Sequence, residues 1–200
     1  NPKVYLPIGN CLMGHIDGPD AMALAYMKSA AVRQMAGYVL PTWYGYQGWG
    51  LLDYFVEQPG RYTLTEAFHA NNLALVHRLL TFFPGAESIA AVDEMGQPPK
   101  GVRVPAPSPA AATAGLTRQD LQGLLFDRDN VAFYGDPAWE ARMAPGRLNW
   151  EQKLTVAADG VHTFTVTPLA GADTWAVVNS NGSQRGGRPI VQYLPQRIDP

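Results

Sequence analysis

The sequence predicts an α/β domain over residues 1–146, followed by a small antiparallel β domain over residues 147–200. Three observations carry this reading. Residues 4–40 run strand, turn, helix, strand, the order of a parallel crossover unit. Residues 63–81 repeat Leu64, Phe68, Leu75, Val76 and Leu79 at helical spacing. After Gly146 the apolar pattern shifts to the alternation of strands.

Residues 4–8 form a short apolar run that meets Gly9 and Asn10, so they read as a buried strand arriving at a turn. Gly18, Pro19 and Asp20 then open a helix in which Met22, Ala25 and Tyr26 share a face down to about Lys28. Residues 32–40 give the second strand. Residues 41–50 (PTWYGYQGWG) combine aromatics and glycines too irregularly for either element and read as a loop. A short helix over 50–57 stops at Pro59 and Gly60. The helix over 63–81 has Thr63 and Glu66 in capping-box spacing before it and Pro84 and Gly85 behind. Residues 96–115 hold five prolines and five alanines and read as an extended linker. Thr117 and Asp120 then cap a helix running into Leu124 and Leu125. In the tail, Asp159 and Gly160 join two alternating runs, 154–157 and 161–167, as a hairpin. Residues 174–178 and 190–194 add two further expected strands around the Asn-Gly-rich turn at 179–187.

An apolar fraction of 46% over 200 residues suffices for a real core. Formal net charge is −2 with no run of five like charges, which argues against a nucleic-acid surface. No stretch of 18 apolar residues predicts a membrane span. Nothing calls for a cofactor. The start at Asn1, Pro2 and Lys3 reads as an interior or processed start.

Cys11 is the only cysteine and lies just past the first strand, ahead of a helix. A nucleophile works well there, because the turn holds the side chain out of the sheet and backbone amides can face a developing oxyanion. A buried structural cysteine is the other reading. His15 follows four residues on, then Asp17 and Asp20; these with Cys11 match no zinc spacing, and His15 reads as a local structural residue of the turn. His69 and His77 fall near one side of the long helix beside its apolar face, and His162 sits on a strand. All three read as ordinary surface or half-buried residues.

The segment Gly9-Asn10-Cys11-Leu12-Met13-Gly14, the small-residue helix through Ala21-Met22-Ala23-Leu24-Ala25 and the strand Arg33-Gln34-Met35-Ala36-Gly37-Tyr38 resemble the catalytic-cysteine region of gingipain-like peptidases, in the caspase-like clan. Residues 130–138, with Gly135-Asp136-Pro137, resemble the segment that closes that family's catalytic domain. A small immunoglobulin-like domain follows there too. The likeness spans most of residues 3–145 in order.

The resemblance implies a caspase-like, mostly parallel sheet with its upstream half lying outside these residues, and a cysteine endopeptidase working through a thioester acyl-enzyme at Cys11. The Cys11 backbone amide and a second glycine amide would hold the oxyanion. The family's histidine belongs to a His-Gly pair upstream of the cysteine, so an upstream segment or companion chain of the same precursor is expected to supply it. Thr42, Trp43, Tyr44 and Gly45 occupy the place that borders the family's specificity pocket; Trp43 and Tyr44 would form an apolar wall, or else pack against the domain's own helix. Asp53 is a candidate selector of a basic side chain. Partners are then a peptide or protein substrate and the upstream segment, in a setting that leans extracytoplasmic. An inactive caspase-like scaffold serving binding or assembly is the competing expectation.

Overall fold

A computed structural model describes residues 1–169 and 188–194. Lys3–Tyr5 (β1) pairs in parallel with Val32–Tyr38 (β2), and Met22–Ser29 (α1) crosses between them. The first strand is shorter than the apolar run predicts. Pro7 has no N–H to give to a ladder, and the Ile8 N–H turns back to the Leu6 carbonyl at 2.8 Å. Leu6 and Ile8 pack on the core all the same.

Val131–Gly135 (β3) completes the sheet in the order β1-β2-β3, antiparallel to β2. The expectation of a mostly parallel sheet therefore holds for one strand pair and fails for the other. Arg118–Asn130 (α5) ends beside the C-terminal end of β2, where the Val39 N–H donates to the Asn130 carbonyl at 2.9 Å. The chain enters β3 at once, opposite Tyr38, and has only the reverse direction to take.

Tyr46–Phe55 (α2) starts four residues earlier than the aromatic loop suggests, and its first turn is capped from a distance. Gly45 adopts φ 88°, and the buried Asp127 carboxylate of α5 accepts the Gln47 N–H at 2.7 Å. A carboxyl oxygen at a helix N-terminus satisfies an amide that the helix itself leaves without a partner. Leu64–Phe82 (α3) carries the expected capping box between Thr63 and Glu66, 3.1 and 2.7 Å. The fully buried Ala67, Ala70 and Ala74 let α2 lie close against α3. The proline-rich linker holds one short helix, Pro109–Thr113 (α4), capped by Ser108. At the start of α5, Asp120 Oδ2 reaches back to accept from the Thr117 N–H and hydroxyl at 2.7 and 2.8 Å, the Asp120 half of the expected cap.

One core cluster joins Leu75, Leu79 and Phe83 of the α3 region to Leu121, Leu124 and Leu125 of α5. Another lies against the sheet, with Ala36, Leu51, Tyr54, Phe55 and Leu64. Trp150–Val156 (β4) and His162–Pro168 (β5) form the expected hairpin as a separate two-stranded sheet. Arg61 holds its base: the guanidinium lies 4.7 Å over the Trp150 ring and donates to Gln152 Oε1 at 2.7 Å.

The strand expected at 174–178 and the turn at 179–187 lie outside the described residues. Residues 190–194 are described and form no strand. Side chains take a carbonyl that a ladder would use: Val191 O accepts from the Tyr62 hydroxyl at 2.5 Å and from Gln152 Nε2 at 3.0 Å, and just before the run Tyr54 donates to Pro189 O at 2.7 Å. Val191 and Tyr193 pack on the sheet-side core, so this segment belongs physically to the α/β unit.

Candidate active site at the ends of the first two strands

Two loops leave the C-terminal ends of the parallel strands β1 and β2, the edge at which open α/β sheets place their sites. They are stitched together along their length. The Gly14 N–H donates to Tyr38 O at 2.8 Å, His15 Nδ1 lies 3.0 Å from Val39 O, and the Tyr134 hydroxyl donates to Gly14 O. The stitching needs a bare backbone at Gly14, where a Cβ would come within 2.5 Å of Gly37 O.

Cys11 is exposed in the first loop, which removes the buried structural reading. Its Sγ lies 3.2 Å from the Thr42 nitrogen and 3.7 Å from the Thr42 carbonyl oxygen. The Thr42 N–H donates to sulfur, a contact that strengthens when the sulfur carries negative charge. The Cys11 N–H donates to no acceptor among the described residues. Next to it, Leu12 holds φ 63°, a left-handed conformation that costs a non-glycine residue roughly 1–2 kcal/mol. Strained backbone of this kind gathers at functional positions.

The four residues expected at the substrate pocket divide. Thr42 touches Cys11 through its backbone. Trp43 is partly exposed, its ring 5.5 Å from that of Phe126. Tyr44 turns inward: it is buried in the α3–α5 core, donates to Asp120 Oδ1 at 3.1 Å, and lies where a Cβ on Gly123 would come within 2.1 Å of its ring. Gly45 is buried as the cap of α2. Any wall this loop offers a substrate is therefore Trp43, with the exposed Leu12 and Ile16 on the neighbouring loop.

No protein-family model matches the chain, and no curated protein or solved structure matches it.

His15 donates Nδ1–H to a carbonyl, which leaves Nε2 as the acceptor nitrogen. Cys11, His15, Asp17 and Asp20 do not gather: among the described residues no group of three or more His, Cys, Asp or Glu side chains is placed to hold a metal. His69 lies against Tyr193, ring centroids 5.8 Å apart, and His162 Nδ1 is 2.9 Å from Gly160 O. Asp53 does meet a basic side chain, and it comes from this same chain: Arg188 Nε is 3.2 Å from Asp53 Oδ2. Among the described residues no helix is long and apolar enough to cross a membrane.

Asp127, which sequence reasoning missed, sits behind the site. It is fully buried, and desolvation pushes its carboxyl up to about 7 against the hydrogen bonds from Gln47, Tyr38 and Gly45 and the charge of Arg188. The Tyr38 hydroxyl donates to Asp127 at 3.1 Å and accepts the Gly48 N–H at 3.1 Å. These contacts tie the end of β2 to the start of α2, on either side of the loop that carries Thr42. No local pattern could announce them, since Asp127 lies 80 residues from Gln47.

Proposed function

We propose that the chain is the nucleophile-bearing part of a caspase-like, gingipain-like cysteine endopeptidase, with Cys11 as the attacking group. The single observation that carries the reading is the exposed Cys11 sulfur in the loop after β1, 3.2 Å from the Thr42 amide nitrogen on the loop after β2. The Cys11 thiol gives its proton to a histidine, the resulting thiolate attacks a peptide carbonyl, and the carbonyl oxygen takes up the negative charge of the tetrahedral intermediate. The unpaired Cys11 N–H is one donor to that oxygen. Gly14 is not the second, because its amide is committed to Tyr38 O. Collapse expels the amine, which takes the proton from the histidine, and leaves a thioester on Sγ; water, deprotonated by the same histidine, releases the acid. That histidine comes from an upstream segment or companion chain of the same precursor. The β4–β5 hairpin is read as part of the immunoglobulin-like β domain expected after residue 146.

The test is hydrolysis of an unfolded protein substrate by the chain in its precursor context, with and without Cys11→Ala. The substitution is expected to cost at least about 10³-fold in kcat/KM with circular dichroism unchanged. Equal hydrolysis by both proteins would remove Cys11 as the nucleophile, and none by either would favour a binding scaffold.

A further inference from the structure

Arg188 reaches α2 and α3 from far along the chain, 135 positions from Asp53, and its guanidinium is enclosed on every side that the described residues show. Nε faces Asp53 Oδ2 at 3.2 Å, one terminal nitrogen donates to Asn71 Oδ1 at 3.1 Å, and the other to the Tyr46 carbonyl. The Tyr46 ring covers its face at 3.5 Å. Side-chain exposure is 3% for Arg188 and 1% for Asp53. Gly50 makes the room: a Cβ there would stand 2.4 Å from the guanidinium carbon and 1.9 Å from Asn71 Oδ1. A glycine inside a helix is unfavourable for the helix itself, so α2 gives up intrinsic stability where the cradle needs space.

These features fit a planar fork more closely than a point charge. A carboxylate oxygen, an amide oxygen and a carbonyl oxygen lie around the plane and an aromatic ring lies over it, so three donors of the fork are used and its flat face is covered. An ammonium would fill one contact and leave the rest unmet. We propose that Asp53, Asn71 and Tyr46 form a binding site for a guanidinium group, filled in cis by Arg188, and that residues 188–194 are its intramolecular ligand. The ligand class that competes for it is an alkylguanidinium, as on the arginine of another polypeptide.

The full chain carrying Arg188→Ala, titrated with N-ethylguanidinium and in parallel with N-ethylammonium, tests this by thermal unfolding. The substitution leaves Asp53 buried without this partner and is expected to lower Tm by roughly 10 °C. Millimolar ethylguanidinium is expected to restore part of that loss, rising with concentration as a bound ligand requires, while ethylammonium restores less than a third as much. The double variant Asp53→Asn with Arg188→Ala is expected to show no restoration. If the single variant fails to fold, the same pair of cations is compared by refolding yield, with recovery expected from ethylguanidinium alone. An unchanged Tm, an equal response to both cations, or a response that survives Asp53→Asn overturns the proposal.

Discussion

Cys11 Sγ stands 3.2 Å from the Thr42 nitrogen, while His15, four residues on, is turned to Val39 O at 3.0 Å. The two residues make separable predictions. With the base brought by another segment, His15→Ala removes one hydrogen bond from the loop stitching: about 1 kcal/mol of stability and less than tenfold in kcat/KM. A loss of a hundredfold or more at unchanged fold would make His15 the base itself. Asp127 gives a prediction in pH. Its carboxyl is raised in the folded state to about 7 from an ordinary 3.8, so folding favours the protonated form. The stability that it contributes is fully present below about pH 4 and is lost as pH rises through 7. Asp127→Asn keeps an acceptor for the Gln47 N–H and for the Tyr38 hydroxyl. In urea titrations the variant is expected to gain on the wild type between pH 4 and 8, by of the order of a few kcal/mol. The groups facing Asp127, namely Tyr38, Gln47, Gly45 and Arg188, are unchanged by that substitution. A difference independent of pH would contradict the assignment.

At the level of elements, the packing of α5 against the loop before α2 rests on a missing side chain. Tyr44 lies where a Gly123 side chain would be, so Gly123→Ala is expected to destabilise by about 1–3 kcal/mol through displacement of the Tyr44 ring, read as a lower urea midpoint at constant m. Elements whose signals are local were legible in the sequence. The α3 capping box at Thr63 and Glu66, the Thr117–Asp120 cap of α5 and the Asp159-Gly160 hairpin all stand where the pattern placed them. What the sequence hid depends on distant partners. Helix α2 begins at Tyr46 because a carboxylate 80 residues on caps it. Strand β3 carries no strand signal of its own, since its short run follows α5 with no turn residue between. Residues 190–194 are apolar enough for a strand, yet the Val191 carbonyl is taken by the Tyr62 hydroxyl and the Gln152 amide. The site was legible to the same degree: the position of Cys11 past a strand followed from local pattern, whereas the inward turn of Tyr44 depended on Gly123, 79 positions away by residue number.

Across the whole molecule, the hairpin and the segment 188–194 are held on the α/β unit by side chains rather than by a shared sheet. A two-stranded hairpin is marginal by itself. Arg61→Ala, which removes its contacts with Trp150 and Gln152, is therefore expected to expose β4 and β5 amides to faster hydrogen exchange than those of α3. Equal exchange before and after the substitution would mean that the hairpin is held elsewhere. The central claim concerns Cys11 and meets its most direct test in the mass of the native protein after exposure to a set of peptidyl acyloxymethyl ketones, which capture a cysteine nucleophile through its thiolate. The predicted result is one adduct per chain, mapped to Cys11, saturating with reagent concentration and absent from Cys11→Ala. An unmodified mass under native conditions, with Cys11 alkylated by iodoacetamide only after denaturation, would contradict it.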